Sequence, residues 1–137
     1  MVPLRRGMVG VGAIRRPKMR WGAQRSCRFV EGKSLVIGYD GGVSPCYALM
    51  HSYTYYIFGR RKQVRRYVLG NVLEEDLGSI WMSEEYVRFR VKVGIFDFPS
   101  CVDCGLACDL AERNEDCWGN DPSCADCLWA HDIIRCP

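Results

Sequence analysis

The stretch CVDCGLACDLAERNEDCWGNDPSCADC, from Cys101 to Cys127, holds six cysteines, and Cys136 follows shortly after. With Cys27 and Cys46 the total is nine in a chain of 137 residues. Thiols at this density are joined as disulfides, hold metal or clusters, or react. An odd number would strand one thiol in a disulfide framework. The start, MVPLRRGMVGVGAIRRPKMRW, does not read as an export signal: its apolar run is short and rich in glycine, Arg15 and Arg16 close it, and no small-residue cleavage site follows. Without export, a disulfide framework is expected to lose its oxidising compartment. Nine unremarkable buried thiols would not place seven of their number between Cys101 and Cys136. The reading is metal or cluster binding.

Charge supports it. The net charge is +3, but residues 1–26 carry seven Arg or Lys and no acid, whereas residues 101–137 carry eight Asp or Glu against Arg113 and Arg135. An acidic tail repels further thiolates, so several reduced cysteines there need a cation to hold them. No stretch approaches the 18 or so apolar residues of a membrane span.

Residues 1–26 lack a hydrophobic period and are broken by Pro and Gly, so they read as a basic lead-in or linker. Residues 27–46 read as a hairpin, with Ser34–Ile37 as an apolar run and Asp40-Gly41-Gly42 as turn chemistry. Such a hairpin brings Cys27 and Cys46 together at its open end. YALMHSYTYYIF (47–58) and the following GRRKQVRR combine aromatic and basic side chains, as a nucleic-acid surface would. A packed aromatic segment followed by a solvated basic turn accounts for them better. His51 reads as a core or interface residue rather than a ligand. Leu73, Leu77, Ile80 and Trp81 fit one helical face. Ser83 followed by Glu84 and Glu85 starts a second helix, for which Gly94 is a plausible stop. The expected fold is a small, irregular, cysteine-rich α+β domain over residues 27–137, with one β-hairpin and short helices around two metal centres.

Two kinds of centre compete. Cys101-x2-Cys104, nineteen residues, then Cys124-x2-Cys127 fits a four-thiolate zinc site, and would make the chain a zinc-stabilised interaction module. That leaves Cys27, Cys46, Cys108, Cys117 and Cys136 over. Nine thiolates supply two four-coordinate sites with one to spare, and Cys101-x2-Cys104-x3-Cys108 suits a cubane cluster better than a lone ion. Trp118, Trp129, Leu106 and Leu128 are candidates for the apolar shell of a cluster or for plain core.

The order Cys27-x13-Gly41-x4-Cys46, then GNVLEEDLGSIW, then FPSCVDCGLAC resembles the SPASM domain, the C-terminal extension of many radical SAM enzymes that mature peptides and cofactors. DCWGNDPSCADCLWAHDIIRCP resembles the group associated with modifying the cofactor of tungsten-containing aldehyde ferredoxin oxidoreductases. The resemblance covers roughly residues 20–137. It implies two auxiliary 4Fe–4S clusters. Cys27 and Cys46 would serve the first, with Cys117 a candidate third ligand. Cys101, Cys104 and Cys108 would serve the second, closed by one of Cys124, Cys127 and Cys136. The family's C-x2-C-x5-C-x3-C run is here C-x2-C-x3-C-x8-C, and no upstream cysteine exists in the region of Trp21. The radical SAM motif C-x3-C-x2-C is absent, since Ala111 follows Cys104 and Cys108 at its third place. The chain alone is therefore not expected to cleave SAM. The resemblance implies a radical SAM barrel as partner, in the same parent protein or on another chain, with Met1 falling in the linker between them. A peptide or protein-bound substrate and a role in electron relay or substrate positioning go with it; a membrane does not, and nucleic acid is disfavoured.

Overall fold

The computed structural model of the protein describes residues 25–57, 59–99, 101, 114–131, 133 and 134. Cys27 leads into a one-turn helix α1 (Arg28–Glu31), and the hairpin β1 (Val36–Ile37) and β2 (Gly42–Ser44) follows. A 3-10 turn (Tyr47–Leu49) then leads to a second hairpin, β3 (Tyr53–Ile57) and β4 (Arg60–Val64). β5 (Gly70–Asn71) returns to pair with β2, so one antiparallel sheet runs β1-β2-β5 and the other is β3-β4. Helices α2 (Leu77–Trp81) and α3 (Glu84–Ile95) complete the regular elements among the described residues. The expected α+β class holds among the described residues. The first hairpin is narrower than expected, because residues 28–31 are helix, and there are two hairpins where one was expected.

The helices start where their capping chemistry lies. Asp76 accepts from the Ser79 amide at 3.2 Å, and the Ser83 hydroxyl accepts from the Tyr86 amide at 3.3 Å. Glu84 and Glu85 fill the first turn of α3, where acids oppose the dipole. The helix runs past Gly94 to Ile95, and Phe96 supplies the left-handed cap at φ 51°.

The second hairpin corrects the reading of a solvated basic turn. Gly59, at φ 78°, closes a tight connection, and Ile57 pairs with Arg60, Tyr55 with Lys62 and Tyr53 with Val64. Strand alternation then puts Tyr53, Tyr55, Ile57, Lys62 and Val64 on the inner face and exposes Tyr56, Arg61 and Gln63. Lys62 is only 3% exposed. His51 is exposed rather than in the core.

Among the described residues, three small apolar clusters take the place of a single large core. One joins Phe29, Cys46, Leu49 and Val64, the next Val43, Ile80 and Tyr86, and the last Val93, Phe98 and Ala125. Phe89 of α3 packs against all three. The end of the basic lead-in is docked on the last cluster: Arg25 donates to the Phe98 and Pro99 carbonyls, each at 3.2 Å, and lies 4.6 Å from the centre of the Phe96 ring.

The first hairpin needs glycine at its turn. Gly41 has φ 85°, and a Cβ there would collide with the Asn71 amide oxygen and approach Leu73 Cγ to 2.9 Å. Asn71 cannot simply move aside, since its amide donates to the Asp40 carbonyl and accepts from the Leu73 amide. Gly41→Ala is expected to cost about 1–3 kcal/mol, read as a lower melting temperature. A change indistinguishable from zero would contradict this account of the turn.

The same turn carries a pH dependence. Arg66 grips Asp40 with bonds of 2.7 and 2.8 Å, and the Gly42 amide donates to the carboxylate at 3.1 Å. The Arg66 hydrogen bonds hold the Asp40 carboxyl down to about 2. A folded-state pKa below the unfolded one stabilises above the unfolded value and is lost as the pH falls through the folded one. The clamp should therefore weaken as the pH drops from about 4 to about 2. Acid titrations of the parent and of Arg66→Gln should converge in that window. A constant gap between them down to the acid end would contradict the assignment.

Candidate metal centre

Cys27, Cys46, Cys124 and Cys127 each sit at a turn. Cys27 opens α1, with its carbonyl accepting from the Glu31 amide at 3.0 Å, and the Cys46 carbonyl accepts from Leu49 at 3.3 Å. Cys124 and Cys127 stand at the two ends of a turn in which the Cys127 amide donates to the Cys124 carbonyl at 3.2 Å. A further turn follows, with the His131 amide donating to the Cys127 carbonyl at 3.1 Å.

These turns converge. Cys46, Cys124 and Cys127 line one mainly apolar cavity with Leu49, Tyr53, Tyr55, Val64, Leu128 and Trp129; Asn114 and Ser123 also reach it, and among the described residues no carboxylate or imidazole does. Cys27 packs beside Cys46 on the Phe29 cluster and beside Cys124 on the Val93 cluster. Burial raises the thiols of Cys27, Cys46 and Cys124 above the ordinary value. Neighbouring thiols add to it: Cys127 and Cys27 act on Cys46, and Cys127, Cys46 and Cys27 act on Cys124. Backbone amides of Val30 and Phe29 oppose the rise at Cys27, and those of Leu49 and Ala48 oppose it at Cys46. Such a group stays protonated at neutral pH until a cation offsets the repulsion. A donor set of soft thiols in an apolar wall fits an iron–sulfur cluster.

Cys101 and Cys117 have other surroundings. Burial pushes Cys101 up to about 11, Asp126, Asp116 and Cys117 add to the rise, and Lys62 opposes it. Cys117 itself is exposed and is not among the residues lining the cavity. Cys104, Cys108 and Cys136 lie outside the described residues. Among the described residues, no three His, Cys, Asp or Glu side chains stand close enough to hold a single metal ion. Of the aromatic and leucine candidates for an apolar shell, Trp129 and Leu128 line the cavity, Trp118 is 60% exposed, and Leu106 lies outside the described residues.

Two polar knots hold the cysteine loops, and neither is evident from the order of residues. Asp116 is buried and accepts from the Trp118 amide at 2.9 Å, the Asn120 amide at 3.1 Å, the Asn120 side chain at 2.8 Å and the Ser123 hydroxyl at 2.6 Å. Asp126, between Cys124 and Cys127, is 2% exposed and meets Arg60 at 2.9 Å and Lys62 at 3.1 Å. The Tyr55 hydroxyl donates to the Asp126 carbonyl at 2.9 Å. The second hairpin thus grips the CADC turn through both strands. An alternating pattern across Tyr53–Val64 was the available signal for the hairpin; nothing local announces its partner 64 residues on.

The family model described as SPASM, an iron-sulfur cluster-binding domain, matches residues 27–105, more than half of the chain. The chain belongs to the SPASM family. A relative described as the tungsten-containing aldehyde ferredoxin oxidoreductase cofactor-modifying protein of Pyrococcus furiosus is 49% identical over 127 residues, which cover 90% of this chain and 36% of the relative. The chain therefore spans about a third of that relative's length. No solved structure matches it. The matched segment of the SPASM model ends at residue 105, so Cys108, Cys117, Cys124, Cys127 and Cys136 fall beyond it. None of the described helices is long and apolar enough to cross a membrane.

Proposed function

We propose that the chain is the auxiliary-cluster domain of a cytoplasmic radical SAM maturase, that its nine cysteines are the ligand pool for two 4Fe–4S clusters, and that residues 1–26 lead in from the barrel. The observation that carries this reading is the gathering of Cys46, Cys124 and Cys127 around one apolar cavity with Cys27 beside them. Membership in a cluster-binding family and the long relative named for cofactor modification support it.

When bound, such clusters supply one-electron transfer at potentials set by charge, hydrogen bonds to sulfur and solvent access. The chain's own residues set those conditions. Leu128, Trp129 and Tyr53 exclude water, and the amides of Val30 and Leu49 face the Cys27 and Cys46 sulfurs. Lys62 and Arg60 place positive charge beside the CADC turn. The role proposed is electron relay or substrate positioning beside a radical site that a barrel provides, with a peptide or protein-bound cofactor as substrate. Potentiometric titration of the anaerobically reconstituted chain tests it. Reversible reduction at low potential, with no 5′-deoxyadenosine formed from SAM by this chain alone, is expected. Clusters that cannot be reduced, or SAM cleavage by the isolated chain, would overturn it.

A further inference from the structure

We propose that Cys27, Cys46, Cys124 and Cys127 form a single four-thiolate site for one 4Fe–4S cluster, and that Cys101 and Cys117 belong to a second, adjoining site. This rests on the reading of the chain as an iron–sulfur domain and assigns its ligands. The Cys124-x2-Cys127 turn, outside the matched family segment, supplies half of the first site.

Three observations converge. Cys46, Cys124 and Cys127 share a cavity that, among the described residues, no carboxylate or imidazole lines. Cys27 bridges the two apolar clusters that flank it, touching the one that holds Cys46 and the one that Cys124 packs against. Cys27 and Cys127 both act electrostatically on Cys46 and on Cys124, so the four thiols are mutual neighbours, and a cubane takes one thiolate at each of four separate corners.

The anchoring of the CADC turn points the same way. Asp126 is turned away from the cavity lining and tied to Arg60 and Lys62, while the cysteines on either side of it line the cavity. Asp116 fixes Ser123, the residue before Cys124. The turn is thus positioned from both sides with its two thiols toward Cys46. Cys101 packs against the Val93 cluster as Cys124 and Cys27 do, but neither it nor the exposed Cys117 lines the cavity. The zinc pattern Cys101-x2-Cys104 with Cys124-x2-Cys127 is thereby divided between two sites.

The test is iron retention in the full chain after anaerobic reconstitution. Three variants are compared with the parent: Cys27→Ser with Cys46→Ser, Cys124→Ser with Cys127→Ser, and all four together. Ligands of one cluster are not additive. Each pair is expected to lose about four irons, and the fourfold variant no more than either pair. Pairs that each keep about four irons, with a fourfold variant that keeps none, would overturn the proposal. A second chain, with Cys101, Cys104, Cys108, Cys117 and Cys136 all changed to Ser, is expected to keep about four irons and a single-cluster spectrum. Failure of that chain to hold any iron, where the parent holds it, would overturn the assignment. A parent that holds no iron would instead overturn the reading of the chain as a cluster domain.

Discussion

Replacing Asp116 with alanine is expected to destabilise the protein by about 3–5 kcal/mol and to lower its iron content at the same time. The carboxylate is buried and accepts from the Trp118 and Asn120 amides, the Asn120 side chain and the Ser123 hydroxyl. Alanine would leave those donors with no acceptor in a place water hardly reaches, and each orphaned donor costs about 1–3 kcal/mol. The damage would spread along the chain of bonds. Lys92 of α3 donates to Asn120, and Ser123 accepts from the Ala125 amide, so the knot links the helix to the loop bearing Cys117 and Cys124. Asp116→Asn keeps one acceptor oxygen and should fall between the parent and alanine. Urea unfolding of the reconstituted protein reads the stability, and iron analysis reads the loop. An alanine variant within about 0.5 kcal/mol of the parent, the range of ordinary surface changes, would contradict the account of this knot.

The next largest effect is expected at Lys62. Methionine there preserves the stem but leaves Asp126, 2% exposed, with Arg60 as its remaining cation. Breaking a buried pair by removing one partner costs about 3–5 kcal/mol, because the other charge stays buried. Arg60 is retained, so the loss should lie at the low end of that range or below it. Adding Asp126→Asn removes the stranded charge and should recover part of the loss. The double-mutant cycle is expected to show a coupling of about 1–3 kcal/mol. Additive effects would mean that Lys62 matters for its packing alone. The pair also bears on the centre, because Lys62 opposes and Asp126 adds to the rise at Cys101.

What the residue order reveals is what local chemistry decides. Asp40-Gly41-Gly42 announces a turn and Ser83 a helix start, and both are found where expected; α2 begins only at Leu77, after an Asp76 cap, and leaves Leu73 outside it. The proximity of Cys27 and Cys46 also follows from short-range geometry, though a helix rather than a strand carries Cys27 to its place. The second hairpin is less legible, since five basic residues between Arg60 and Arg66 resemble a solvated run. Their alternation across Gly59 matters more than their charge: Lys62 is buried because Asp126 waits for it, and Arg66 is engaged because Asp40 does. Both partners are distant in sequence, and a pattern within one segment cannot show them. The same limit applies to the thiols. Spacing pairs Cys124 with Cys127 but is silent on which other thiols they meet, and the shared cavity with Cys46 is a tertiary fact.

The central claim, that these cysteines hold iron–sulfur clusters, is tested most directly by composition. Anaerobically purified and reconstituted protein would be analysed for iron, sulfide and zinc, with its visible spectrum before and after reduction. About eight irons and eight sulfides per chain, with brown absorbance that bleaches on reduction, is the expected result. Colourless protein holding one or two zinc ions would contradict it, and would leave the chain a zinc-stabilised interaction module.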